Sequence, residues 1–431
     1  MLTHVQVSIA NQVCTNYVAG FTGDRLDSEA SLKPDITLFS KNDVAGLHED
    51  SDTASLATSF LHMELFVEIK HDALCDPFRD LGERKMEERN SINGDNTRGQ
   101  CLLYAANQLA YQHRLFAFSL VVCGKKARFI RWDREGVVVS AEVDCSQRHD
   151  LVVEFLQRFN QLKRDQRGLD PTAVSATPEQ TEAFESAVAK IEIEPLKRSV
   201  GDWKIYQRFQ LEVRGPRDVS YYIVGKALDY NLGVVGRCTR GYLALDLSTG
   251  ECVFLKDMWR PDVPGIEPEH VWYEKLARAN VPHLVRFKHA SDVVPPTPPV
   301  TYHGTTPIDP TETTSRQEAQ RGLTCRLAHL FNSSDCLSQG RVHYRLVQEE
   351  LCQPLSEFTN SRHLVLVVLN SLKGEKRPDP ILVISLMRGS TSVFFGVFGC
   401  RSLPQRRELR EYHDRSRWRG KVERLGFVSR C

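Results

Sequence analysis

The stretch GRCTRGYLALDLSTGECVFLKDMWR, residues Gly236 to Arg260, reads as a strand entered through a glycine turn, then a tight turn, then a second strand. The second strand carries one lysine, Lys256, among apolar residues. Gly236 and Gly241 stand five apart with Cys238 between them. Glycine lets a backbone approach a ligand closely because no side chain stands in the way. Taken singly, the glycines suit any hairpin and the lysine suits an exposed sheet edge. Their spacing is what two strands and one turn span, and that conjunction points to a phosphate-holding hairpin.

Outward from this hairpin, EHVWYEKL begins at Glu269 and places apolar residues three, four and seven positions later. That is one face of a helix, with Glu269 able to reach back to Lys256 and Glu274 as the competing acid. Further on, YRLVQEELCQPL reads as a strand ending in a connector. Gln348 would lie behind a bound base, and the backbone of Glu349 to Leu351 would receive it. Between helix and strand, VVPPTPPVTYHGTTPIDPTETTSRQEAQ is proline-rich and expected to be disordered.

The 431 residues allow two or three domains, and neither 41% hydrophobic nor 26% charged content departs from an ordinary globular chain. A net charge of +1 gives no general attraction to nucleic acid or membrane. No apolar run approaches the roughly 20 residues that span a bilayer. The 12 cysteines form no CxxC pair, which argues against structural zinc and suits a reducing compartment. The expected location is intracellular, in cytoplasm or nucleus, with no membrane contact.

The first 165 residues mix strands and helices. KPDITLF and ELFVEIK read as strands, GQCLLYAANQLAYQHR and DLVVEFLQRFNQL as helices, and LFAFSLVVCG with KARFIRWD as a hairpin turning at Gly124 and Lys125. Asp35 lies on the first strand, while Glu68 and Lys70 end the second, two apart and so on one side of it. Gln100 opens the following helix. This set resembles the PD-(D/E)xK pattern of metal-dependent nucleases. The resemblance implies that Asp35 and Glu68 hold a metal such as magnesium, with Lys70 stabilising the attacking water and Gln100 adding a polar contact. On their own these are an acid at a turn and an exposed acid–lysine pair. Lys125, Lys126, Arg128, Arg131 and Arg134 make a local basic cluster, which leaves nucleic acid open as a partner.

Three phrases together, RGQCLLYAANQLAYQHRLFAFSLVVCGKKARFIRWDREGVVVS, GRCTRGYLALDLSTGECVFLKDMWRPD and YRLVQEELCQPLSEF, make the chain similar to the fungal-type protein kinases over roughly Lys33 to Ser371. The resemblance implies a kinase-like small lobe after a family-specific N-terminal region, with ATP as ligand. Cofactor-contacting residues would be Gly236, Gly241, Lys256, Glu269, Gln348, Glu349 and Leu351. The sequence departs from the family soon after SRHLVLVVLNSL, with no HRD loop and no DFG, as a shifted reading frame, a retained intron or a damaged gene copy near Leu372 would leave it. It therefore reads as a pseudokinase.

The expected architecture is α+β. Residues 1–165 form a mixed α/β domain with a restriction-endonuclease-like candidate fold, and 166–213 a linker with a short helix. Residues 214–362 form the small lobe with a disordered insertion at 292–320, and 363–431 a poorly ordered tail. Three functions stand side by side: a nucleotide-holding kinase relative without phosphotransfer, a magnesium-dependent nuclease-like module, and a non-catalytic binding or decoy protein. A protein partner of unidentified kind is expected in each.

Overall fold

A computed structural model describes residues 2–44, 58–82, 86–193, 206–295, 319–327 and 339–352, apart from 24–25, 28–29, 216–217 and 283. It also describes 360–362 and 365; the rest of the expected tail and most of the proline-rich insertion lie outside these residues.

The first part runs α1 (Leu2–Val13), β1 (Tyr17–Phe21), β2 (Ile36–Ser40), α2 (Lys41–Val44), β3 (Met63–Lys70), β4 (Phe78–Asp80), β5 (Met86–Glu88) and α3 (Ile92–Tyr111). It continues with β6 (Phe116–Cys123), β7 (Lys126–Asp133), β8 (Val137–Val139), β9 (Val143–Asp144) and α4 (His149–Gln161). Its main sheet has the order β1-β2-β3-β6-β7-β8, with β9 on β7. β3 and β6 are parallel, and such a pair needs a long crossover, which α3 supplies. Apolar residues alternate between two faces. Phe66, Trp132 and Ile130 meet Cys101, Tyr104 and Leu109 of α3, while Leu65, Val67 and Leu120 meet Ala10 of α1 and Leu156 and Phe159 of α4. A sheet covered on both faces by helices results.

α3 begins at Ile92, earlier than the apolar spacing alone marks, because Ser91 caps it by accepting from the Gly94 amide at 3.2 Å. The charged stretch before it holds β4 and β5.

The second part runs β10 (Ala173–Ser175), α5 (Pro178–Ala189), β11 (Phe209–Arg214), β12 (Val219–Val224), β13 (Asp229–Tyr230), β14 (Arg240–Asp246) and β15 (Cys252–Pro261). After these come α6 (Glu269–Arg278), β16 (Phe287–Asp292), α7 (Thr324–Leu327) and β17 (Arg341–Gln348). The order is β10-β11-β12-β14-β15-β17-β16, with β13 on β14, and every pair is antiparallel. Two strands of this sheet, β10 and β11, come from the stretch read as linker. Their short apolar residues find a place only once β12 is present to pair with. The sheet curls, so that Tyr222 of β12 reaches His289 of β16 at 2.6 Å and Arg345 of β17 reaches the Glu212 carbonyl at 2.8 Å.

The two parts share an interface that contains the glycine turn. The Gly236 amide donates to the Arg134 carbonyl at 3.1 Å, and Val234 joins the core beneath α3. The Arg134 guanidinium donates to the carbonyls of Gly233 (3.0 Å) and Leu109 (2.8 Å). Arg240 donates to the Gln112 carbonyl at 2.8 Å, and Glu135 accepts from the amides of Cys325 and Arg341. Among the described residues no helix is long and apolar enough to cross a membrane.

Candidate functional site

The centre of the second sheet carries the lysine hairpin. In its antiparallel register Gly241 faces Lys256 on one side and Leu346 faces it on the other. Residues directly opposite share a face, so Gly241, Leu346, Phe254, Lys256 and Met258 lie on one face of the sheet. α6 covers that face: Tyr273 packs with Met258, Tyr344 and Leu346. Glu269 sits in the first turn of α6, where the exposed helix amides favour an acid. Its Oε1 lies 2.8 Å from Lys256 Nζ, and both residues are buried, at 9% and 5% exposure. A buried lysine and a buried glutamate are each costly alone and tolerable as a pair. Glu274, the competing acid, lies on the outer side of α6 and pairs with Arg278 at 3.2 Å.

The glycine turn has two left-handed residues, Gly236 at φ 115° and Cys238 at φ 41°. Cysteine therefore occupies a backbone conformation that favours glycine, held by sulfur contacts to the carbonyls of Gly233 and Val234.

Gln348 is buried at the end of β17 and donates to Tyr273 Oη at 2.7 Å. The Glu349 amide donates to the Arg286 carbonyl at 2.9 Å, and its carboxylate lies 3.1 Å from the Arg286 guanidinium. Leu351 packs against the cluster formed by Phe184 of α5 with Leu243 and Leu245 of β14.

The opposite face of the same sheet holds a buried charge network that sequence reading missed. Asp257 accepts from His343 Nε2 at 2.5 Å and Arg240 at 3.2 Å, and lies 3.6 Å from Arg345. Asp170 accepts from Arg345 at 2.8 Å and from Gln320 at 2.9 Å. All six side chains are buried. Burial alone would push the Asp257 carboxyl up, but His343 and Arg240 outweigh it and hold it well below the usual range. The alternation RVHYRLV, with Arg341, His343 and Arg345 on one side of a strand, was the available signal. A cavity of about 90 Å³ opens on this side, lined by Gln112, His113, Tyr206, Phe209 and Tyr242. Burial, followed by the charge of Arg240, pushes His113 down to about 3, and its ring lies against Phe209 and Tyr242.

In the first part, β2 and β3 bring Asp35, Glu68 and Lys70 together. Asp35 Oδ2 accepts from the Ile69 amide at 2.7 Å, and Lys70 Nζ donates to Glu68 Oε1 at 2.5 Å. Glu68 is 2% exposed, and its Oε2 has no hydrogen-bond partner. Burial first, and the Asp35 charge second, raise its carboxyl to about 7 despite Lys70. The Glu68 charge in turn raises Lys70, outweighing the burial that would lower it. One Glu68 oxygen lacks a donor and a second acid lies beside it, and both disfavour the charged form. Gln100 is exposed on α3, and the helix instead turns Cys101 and Tyr104 inward.

The basic cluster on β7 is mostly spent on internal partners. Arg128 binds Asp76 and Asp80 at 2.8 Å each, Arg131 binds Asp133 at 2.5 Å, and Lys126 pairs with Glu142. Arg134 serves the interface, and Lys125 is exposed.

A family model described as fungal protein kinase matches residues 83–377, more than half of the chain. The match takes in α3, the glycine turn, Lys256, Glu269 and Gln348, and leaves Asp35, Glu68 and Lys70 outside. No curated protein and no solved structure matches the chain.

Proposed function

The chain belongs to the fungal protein kinase family, and from that premise we propose that it holds a nucleoside triphosphate such as ATP through Lys256 without transferring its phosphate. The observation that carries this reading is the buried Lys256–Glu269 pair at 2.8 Å beneath α6. A lysine so held is positioned to meet phosphate oxygens, and Glu269 keeps it from swinging away. On this reading ATP would approach the sheet from this side, with Lys256 facing its phosphates. Transfer needs more. The family's reaction places an aspartate at the acceptor hydroxyl and another on magnesium, and the sequence has neither HRD nor DFG. ATP should raise the melting temperature of the full chain by several degrees, and the increment should vanish in Lys256→Met measured against its own ligand-free state. An undiminished increment in that variant would retire the reading.

A second reading rests on Glu68. A buried carboxylate with one unpartnered oxygen, beside Asp35 and Lys70, supports a divalent-metal site of the nuclease-like kind. Magnesium is commonly held by one or two carboxylates with water completing its shell, which these two acids would allow. The order of the main sheet's elements, β1 to β3, then α3 as crossover and β6 parallel to β3, supports it as well. DNA cleavage that requires magnesium and disappears in Glu68→Ala is the expected result; an intact substrate with the wild-type chain would retire this reading.

A further inference from the structure

We propose that Arg208 is the floor of an oxyanion site covered by α5, and that a carboxylate or phosphate group binds there with two oxygens on one edge of the guanidinium. The site is separate from Lys256 and does not depend on what that lysine holds. Arg208 immediately precedes β11 and stands two residues before Gln210, so both side chains point to one side of the strand. Gln210 lies opposite Ile223 of β12, and Ile223 packs with Phe184 of α5. The Arg208 carbonyl accepts from the Ala176 amide at 2.9 Å, and its Nη1 donates to the Tyr206 carbonyl at 3.0 Å. Its Cζ lies 5.2 Å from the centre of the Phe184 ring, and the residue is 4% exposed.

The other two nitrogens carry the inference. Among the described residues Nε and Nη2 have no hydrogen-bond partner. Together they form the edge of the guanidinium that grips two oxygens of a carboxylate or phosphate side by side. A cation buried without its counter-charge is costly. Glu185, next to Phe184 on α5, acts on Arg208 through its charge and not through a hydrogen bond. Burial outweighs that charge and holds the guanidinium below its usual range. Arg208 lies across Gly225, where an added Cβ would come within 2.7 Å of Nη1 and 3.2 Å of Cζ. The cover is lightly fastened: Phe184 is the one buried side chain of α5, and Gln180 adds a bond to Gln210 at 2.7 Å. A helix with so few buried contacts opens ahead of the sheet beneath it, and its lifting admits an oxyanion to Arg208 without breaking a strand pair.

The test uses the full chain, with inorganic phosphate and acetate as separate probes at matched ionic strength. Thermal shift is read against each protein's own probe-free state. Wild type should gain about 3 °C at roughly 20 mM of one probe or both, and the larger gain identifies the oxyanion. Arg208→Met keeps a long side chain against Phe184 and should lose the gain. Without a probe it should melt no lower than wild type, because it removes a charge that has no counter-charge. Gly225→Ala keeps the charge but pushes the guanidinium aside, and should weaken the better probe about tenfold. Glu185→Gln removes the competing acid and should tighten it about threefold. No gain in wild type with either probe overturns the site. A gain of equal size in Arg208→Met marks a general salt effect and overturns it too. Should Arg208→Met fail to fold, Gly225→Ala decides, and an undiminished gain there has the same consequence.

Discussion

Replacing Asp257 by asparagine is expected to lower the stability of the whole molecule by about 3–5 kcal/mol, the usual consequence of breaking a buried ion pair. Asp257 is 1% exposed and neutralises Arg240, with Arg345 and His343 close by. Asparagine keeps the shape but leaves Arg240 in a dry interior without its anion. Arg240 also donates to the Gln112 carbonyl, and Arg345 binds Asp170, so the loss spreads to the interface between the two sheets. A fall in melting temperature of roughly 10 °C follows for a cooperative unit of this size. The exposed pair Arg278–Glu274 on α6 provides the control, since its removal should leave the melt unchanged. If Asp257→Asn shifts the melt no more than Glu274→Ala does, the network is not what joins the two parts. The same carboxyl sets an acid limit. Its folded-state value lies well below 3.8, so its contribution is complete above that pH and is lost only as the pH falls through the depressed value.

Glu68 gives an effect of opposite sign with pH. Its carboxyl is raised from 4.5 to about 7 in the folded chain, by burial and by Asp35. The folded state therefore keeps a proton that the unfolded state surrenders. The resulting stability is complete below pH 4.5 and is lost as the pH climbs through about 7, a change of about 3 kcal/mol. In chelator-treated buffer Glu68→Gln should remove this slope. Glutamine stays neutral, still offers Lys70 an oxygen, and leaves that lysine's 25% exposed side chain in contact with water. Urea titrations at pH 4 and pH 8 check it: the two proteins should agree at the lower pH, and the variant should be the more stable at the higher. Parallel curves at both would mean that Glu68 is already ionised in the folded state.

The local patterns were legible because they depend on near neighbours along the chain. The alternation in MELFVEIK, the hairpin on either side of Gly124 and the amphipathic spacing after Glu269 each follow from one element's own periodicity. The acid of α6 was narrowed to two residues and no further, because Glu269 and Glu274 are close in sequence but more than a turn apart, so they point to different sides of the helix. β10 and β11 could not be read at all. Three- and six-residue strands have too little periodicity of their own, and they exist because β12 offers an edge.

The sequence by itself determined the α+β class, the succession of strands and helices around Lys256, and membership in a family whose motifs run through α3 and the hairpin. Tertiary structure alone decided which charges are surface and which are interior. The arginines of KARFIRWDR look solvated in a linear text, and Asp257 looks like the hydrophilic neighbour of Lys256. Folding buries Arg128, Arg134 and Asp257 against partners 52 to 99 residues away. It also leans Phe254 onto Gly241, a contact between residues thirteen apart that no motif spacing contains. The physical reason is the same throughout. Periodicity fixes which side of an element a residue occupies, whereas desolvation, ion pairing and the filling of space depend on what the rest of the chain brings to that side.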